Sequence, residues 1–339
     1  MTSAQTIVYN AMSTVSVSVV VPVYHSEASL RPLVERLLAV LQERPAEFEI
    51  ILVNDGSPDR CWGLIADLAR ADPHIRGINL MRNFGQHNAL LCGIRAARFD
   101  VIVTLDADLQ HPPEEIPTLL AKLAEGFDVV YGLPEKNKHG VRRDTASRLM
   151  RRLLKTMHVE TAAIGNSFRA FRTPLRNAFA EFQGPFVSID VLLTWGTMRF
   201  TSVAVRHDTR THGHSSYSLP KLLAHCFDVI TGFSTLPLRL ASWIGFFFTL
   251  FGIGILIYVV SRYLILGYSA PGFPFLASII AIFAGAQLFA LGIIGEYIAR
   301  MHFRLMDRPT YVVRQTAEHD TKEVEKAIID KLGPVAGRL

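Results

Sequence analysis

The stretch VTLDADLQHPPEE, Val103 to Glu115, runs an apolar β-branched segment straight into two carboxylates. Asp106 and Asp108 stand two residues apart, so on an extended chain both project to the same side. Together with Gln110 they offer hard oxygen donors of the kind that suit Mg2+ or Mn2+. Neighbouring acids at a strand end repel one another, and a bound cation relieves that repulsion. A solvated Asp-rich turn is the plain alternative. The position directly behind the apolar run Val101 to Leu105 favours a metal and diphosphate site.

Two further polar clusters follow apolar runs. PVYHSE spans Pro22 to Glu27, and VNDGSPD spans Val53 to Asp59. Asp55, a carboxylate before Gly at a strand end, can accept hydrogen bonds from a base or ribose. Ser57 before Pro58 reads equally as a helix N-cap with proline at the first helical position, with Asp59 favoured by the helix dipole.

The elements that must hold these residues are legible as an α/β pattern, short β-branched runs alternating with amphipathic stretches. Strands are predicted at Val15 to Val23, Phe48 to Asn54, Arg76 to Leu80, Val101 to Leu105 and Asp128 to Tyr131. Helices are predicted at Leu30 to Leu41, Pro58 to Arg70, Gln86 to Arg98 and Pro113 to Glu125. Such sheets bind ligands beyond the carboxyl ends of their strands, where the three clusters fall.

Half of the 339 residues are apolar, and 35 Lys+Arg against 30 Asp+Glu leave a formal charge of +5. That length suits about two domains at roughly 150 residues each. The apolar share and ordinary Gly and Pro content exclude a disordered or collagen-like chain. Cys61, Cys92 and Cys226 are odd in number and far apart, so they form neither a disulfide framework nor a metal knuckle, and the simplest reading for whatever part of the chain is soluble is a reducing, cytosol-facing location.

No charge interrupts the chain between Arg239 and Arg262, nor between Arg262 and Glu296. Some 20 apolar residues cross the hydrocarbon layer, and the Gly- and Pro-rich segment Gly267 to Pro274 breaks the second stretch with a turn. The expectation is a transmembrane hairpin over 238–300, with helices at about 240–262 and 274–297. Lys221, Arg239, Arg300, Arg304 and Arg308 flank its outer ends, which places both termini in the cytosol, while Arg262 snorkels to the far interface. No secretory signal is read at the N-terminus, where the first basic residue is Arg31 and the run Val17 to Val23 is broken by Pro22. The full expected organisation is a catalytic domain over 1–217, an interfacial amphipathic helix over 218–237, the hairpin, and a cytosolic tail over 301–339.

With these motifs in view, the chain resembles the family 2 glycosyltransferases of the GT-A (Rossmann-like) fold, in the branch that transfers sugars to polyprenyl phosphates. The resemblance runs from PVY at Pro22 through NDGSPD, NFGQHNAL, LDADLQHPPEEI, FRAFR, GHSSYS and PLR to GEYIAR and RPTYVV, ending near Val313. It implies that Pro22, Tyr24, Glu27, Val53 and Asp55 hold the nucleotide sugar and that Asp106 and Ala107 line its diphosphate. Asp108 and Gln110, with Asp106, would hold Mg2+ or Mn2+. Arg210 falls where the family clamps the donor diphosphate, and Arg143 with Ser147 where it holds the acceptor phosphate. The chain departs from the family pattern at His25-Ser26, at Ser216 and at Ala163.

The resemblance implies a nucleotide-sugar donor, a polyprenyl (undecaprenyl) phosphate acceptor, the inner membrane as site of action and no nucleic-acid partner. The product would be a lipid-linked sugar for cell-envelope glycan or lipopolysaccharide modification. The chemistry is self-consistent, because a phosphate monoester with a second pKa of about 6 is already anionic at neutral pH. No general base is then required, and inversion by direct displacement follows.

A lipid acceptor calls for contact with the bilayer. Arg148, Arg151, Arg152 and Lys155 form a basic stripe at helical spacing, and Leu219, Leu222, Leu223, Cys226, Ile230 and Phe233 give an apolar face leading into the first span. Small residues four apart, Ala241 with Gly245 and Ala281 with Gly285, would let helices approach within the hairpin or in a homo-oligomer. His207, His212 and His214 could ligate a metal, but a loop with scattered histidines is more often simply polar. A processive or hydroxyl-acceptor polysaccharide synthase shares the Asp pair but usually carries a QxxRW motif, and none of Trp62, Trp195 and Trp243 follows an Arg. A membrane adaptor or flippase component has no need of acids at strand ends.

Overall fold

The structure, a computed structural model, describes residues 15–44, 46–134, 166–184, 187–208, 236–266, 272–306 and 308–319. The chain divides into two units, one holding the sheet with its helices and one holding two long apolar helices.

The first unit alternates strand and helix in chain order: β1 (Val17–Val23), α1 (Glu27–Gln42), β2 (Phe48–Asn54), α2 (Cys61–Ala71), β3 (Ile75–Leu80), α3 (Gln86–Ala96), β4 (Val101–Thr104), a 3-10 turn (Pro113–Glu115) and α4 (Ile116–Ala124). Then come β5 (Val129–Pro134), β6 (Arg169–Arg172), a second 3-10 segment (Thr173–Phe179), α5 (Ile189–Thr194) and β7 (Phe200–Val205). The eight-stranded sheet has the order β7-β5-β6-β4-β1-β2-β3-β8, where β8 is Val313–Ala317. β1 pairs in parallel with both β2 and β4, and β2 in parallel with β3.

Every residue of β1 and β2 is buried, as a parallel strand covered on both faces requires. Val19, Val21 and Val23 join the core under α1, α2 and α4, while Val20 points to the opposite core under α3 and α5. This alternation is the period-2 geometry of a strand. Three polar residues break these runs: Ser18 donates to Glu49 at 2.7 Å, Glu49 is ion-paired with Arg76 at 2.7 Å, and Asn54 Nδ2 donates to Asn79 Oδ1 at 2.8 Å. From β1 the chain moves to β2 and β3 on one side, then crosses to β4 on the other. The crevice at the carboxyl ends of β1 and β4 is therefore the switch point where α/β sheets bind ligands.

The predicted strands β1 to β5 lie where expected, with ends shifted by a few residues. β6, β7 and β8 were not anticipated. β6 carries Arg at both ends and runs antiparallel between β4 and β5. β8 lies within the expected tail 301–339 and pairs antiparallel with β3; its side chains are mostly exposed, so backbone bonds rather than an apolar pattern place it. The helix predicted from Pro58 starts instead at Cys61. Ser57 does not cap it, because its hydroxyl accepts the His25 N–H and donates to Asp59, and Asp59 accepts the Cys61 N–H.

The second unit holds α6 (Leu236–Leu266) and α7 (Phe273–Leu305), both long and apolar enough to cross a membrane. Trp243, Phe246, Phe247, Phe251 and Tyr258 are exposed along α6. The helices meet where Phe283 packs on Phe248 and over Gly252, whose missing Cβ would lie 3.2 Å from the Phe283 ring. A Cβ at Gly245 or Gly285 would meet nothing within 4 Å, so those small residues do not make the hairpin contact. Arg262 donates to the Tyr258 phenol one turn back.

Close approach of α3 to the sheet depends on Gly93, where a Cβ would stand 2.3 Å from Val20 Cγ1 and 3.1 Å from Val53 Cγ2. Gly93→Ala is expected to lower stability by about 1–3 kcal/mol through overpacking, outweighing the ~1 kcal/mol that Ala gains in helix propensity. Thermal melting of the purified protein measures the sign.

Candidate active site

β4 ends at Thr104, and Leu105 remains buried with its N–H on the Val20 carbonyl of β1. The chain then turns through Asp106, Ala107 and Asp108. Ala107 is buried and its carbonyl accepts the Ser29 hydroxyl of α1 at 2.6 Å, which pins the turn from below. Leu109 takes a positive φ of 63°, a conformation that costs a non-Gly residue on the order of 1–3 kcal/mol. The Asp106 carboxylate is held from two sides, by Gln86 Nε2 at 2.5 Å on Oδ1 and by the Ser167 hydroxyl at 2.6 Å on Oδ2. Asp108 Oδ1 accepts the Gln110 N–H at 3.1 Å.

At the end of β1, Pro22 pairs in register with Val53 of β2, and both are buried beneath the crevice. Tyr24 is 45 % exposed, with the His25 ring edge-on at 4.5 Å. Glu27, at the start of α1, accepts the Arg60 N–H ahead of α2. These contacts knit the PVYHSE and NDGSPD loops together.

Asp55 is 3 % exposed and spends its carboxylate on its own chain, its two oxygens accepting the N–H groups of Phe84 at 2.7 Å and Gly85 at 2.9 Å. Burial outweighs these bonds and pushes the carboxyl above its ordinary value. Gly56, at φ 61°, lies so close to the Arg82 and Asn83 backbone that a Cβ would stand 2.4 Å from the Arg82 carbonyl carbon. Asp55 thus fixes the turn from which Gln86 reaches Asp106. Sequence reasoning assigned no role to Gln86, Ser29 or Ser167; the Gly-Gln pair at the start of α3 was the available signal for the first.

The loop after Gln110 is tied down as well. His111 is buried, stacked on Phe168 at 5.4 Å and edge-on to His207 at 5.3 Å. Burial first, and His207 second, push its imidazole down to about 4, so it is neutral at pH 7. Arg36 grips Glu114 through two bonds, at 2.9 and 2.6 Å, and the Asp208 N–H donates to the Gln110 carbonyl at 2.9 Å. The structure therefore brings Pro22, Tyr24, Glu27, Val53, Asp55, Asp106, Ala107, Asp108 and Gln110 to one edge of the sheet. Arg143, Ser147 and Arg210 lie outside the described residues, as do Ala163, His212, His214, Ser216, the basic stripe 148–155 and the apolar face 219–233.

Residues 18–186 match the sequence profile of glycosyl transferase family 2. The undecaprenyl-phosphate 4-deoxy-4-formamido-L-arabinose transferase of Shewanella sediminis (strain HAW-EB3) is 38% identical over 302 residues, covering 88% of this chain and 91% of that protein. The chain belongs to glycosyl transferase family 2. Two crystal structures of the glucosyl-3-phosphoglycerate synthase of Mycobacterium tuberculosis are similar in fold. One, with Mn2+, uridine-diphosphate-glucose and phosphoglyceric acid, is 20% identical with a TM-score of 0.50, covering 67% of this chain and 81% of its own. The other, with Mn2+, uridine-diphosphate and phosphoglyceric acid, is 20% identical with a TM-score of 0.50, covering 67% and 80%. This family 2 glycosyltransferase thus has the α/β GT-A fold, and its family match begins at β1 and extends past β6.

In this glycosyltransferase Asp55→Ala leaves the Phe84 and Gly85 N–H groups without their acceptor. Stability is expected to fall by about 1–3 kcal/mol, and Asp55→Asn, which keeps one acceptor, to fall by less. Urea unfolding of the two variants gives the comparison.

Proposed function

We propose that this glycosyltransferase moves a sugar, with inversion, from a nucleotide-diphosphate donor to an undecaprenyl-type polyprenyl phosphate at the cytosolic face of the inner membrane. The observation that carries this reading is the Asp106–Ala107–Asp108 turn, held at the switch-point edge of the sheet by Gln86, Ser167 and Ser29. The undecaprenyl phosphate in the name of the Shewanella sediminis relative and the two membrane-length helices support the choice of a lipid phosphate. Basic residues at the outer ends of the hairpin, from Lys221 and Arg239 to Arg300, Arg304 and Arg308, support cytosolic termini.

The donor set fits a hard divalent cation. Among the described residues no three His, Cys, Asp or Glu side chains cluster as a metal cage. Asp106, Asp108 and Gln110 carry hard oxygen donors that suit Mg2+ or Mn2+, which commonly bind through one or two carboxylates and complete their shell with substrate phosphates and water. When bound, the ion supplies Lewis-acid neutralisation of the departing diphosphate. Around it this chain's residues position the reactants. The exposed Tyr24 offers a ring to the donor base, Pro22 and Val53 form the floor, and Asp55 and Glu27 hold the walls in register. Arg210 would clamp the donor diphosphate, and Arg143 with Ser147 would receive the acceptor phosphate. That phosphate attacks as an anion, so no residue need remove a proton from it. The open small-residue faces at Gly245 and Gly285 leave room for a second copy of the chain.

Membranes containing the protein, given undecaprenyl phosphate and a panel of labelled nucleotide sugars, are expected to form a lipid-extractable sugar product. Asp108→Asn is expected to reduce its rate on the order of 100-fold or more, the scale seen when one electrostatic contact to a transition state is lost. A polymeric product, or no product with any donor, would contradict the assignment.

A further inference from the structure

Behind the Asp106 turn lies a buried ion pair that substrate contact does not explain. Arg169, at the start of β6, is 1 % exposed, and its Nη1 meets Asp190 Oδ1 of α5 at 2.5 Å. The Tyr131 hydroxyl of β5 donates to the same oxygen at 3.0 Å. Arg169 is the register partner of Thr104, the last residue of β4, and donates from Nε to the Thr104 hydroxyl at 3.1 Å. That hydroxyl donates onward to the Ser167 carbonyl at 2.6 Å, and the Ser167 hydroxyl donates to Asp106 Oδ2 at 2.6 Å.

We infer that the Arg169–Asp190 pair and Thr104 are positioning residues that orient the Asp106 carboxylate through Ser167. The inference rests on the reading that Asp106 helps to hold the cation.

The physical case has three parts. Buried ion pairs are poor stabilisers compared with apolar residues of the same volume, so stability alone is a weak reason for one here. Asp190 and Tyr131 fix the guanidinium so that its Nε reaches Thr104 from one direction only. With that donor in place, Thr104 has its proton free for the Ser167 carbonyl, which sets the backbone from which the Ser167 hydroxyl meets Asp106. From Arg169 onward the donors run one way, Nε to Thr104, Thr104 to the Ser167 carbonyl and the Ser167 hydroxyl to Asp106, while Asp190 accepts from both Arg169 and Tyr131 behind them. Partners behind a metal ligand of this kind typically carry about 10–100-fold of metal affinity.

The test is Mn2+ binding to the full chain in detergent, read from loss of the free-ion EPR signal without nucleotide, alongside thermal melting. Thr104→Val keeps the shape and removes the hydroxyl; it is expected to weaken Mn2+ binding about tenfold. Ser167→Ala should move affinity in the same direction, and Thr104→Ser should restore it. If Thr104→Val does not fold, Ser167→Ala decides the last link alone. If Thr104→Val lowers the melting temperature while both variants bind Mn2+ like the unmodified protein, and Asp106→Asn loses binding, the line is structural only and the inference is overturned while the site stands. If Asp106→Asn also binds normally, or the unmodified protein takes up no Mn2+, the site reading itself fails.

Discussion

The structure turns on a carboxylate that is held in a fixed direction, that of Asp106. Asp106 sits just beyond the end of β4, two residues before a second acid, and two neutral donors from distant segments hold it there. Hydrogen bonds to an ionised carboxylate are stronger than neutral ones, and they fix direction as well as charge. Gln86 and Ser167 each donate to one of its two oxygens and so set its direction.

Those donors come from far along the chain. Gln86 is placed by the turn that Asp55 grips, and Ser167 by the segment entering β6. The two halves of the sheet, β1 to β3 on one side and β4 to β7 on the other, thus each send one donor to the crevice between β1 and β4. Backbone strain at His25 and Leu109, both with positive φ, lies at the ends of those two neighbouring strands. Strain persists only where the surroundings over-determine it, and here the Ser57, Ser29 and Gln110 bonds do so.

Much of this was legible from residue types. Strands buried on both faces read as continuous apolar runs, which is why β1 and β2 were found, and the Asp106–Asp108 spacing marked the site. β6 and β8 were missed because their places depend on register with Thr104 and Leu80, partners remote in sequence. Ser57 misled for a related reason: its type suits an N-cap, but its hydroxyl is taken by His25. Asp55, expected to hold the nucleotide, also accepts the Phe84 and Gly85 N–H groups, a task its residue type alone did not disclose. A residue's type announces what it can bond, and the fold decides with whom.

The central claim is that this edge of the sheet holds a cation shared with a diphosphate. Pulsed EPR of Mn2+ bound to the full chain with UDP or GDP addresses it most directly. A 31P coupling to the bound ion that disappears in Asp108→Asn is the predicted result. Bound Mn2+ without any phosphorus coupling, or a coupling that the substitution leaves untouched, would contradict it.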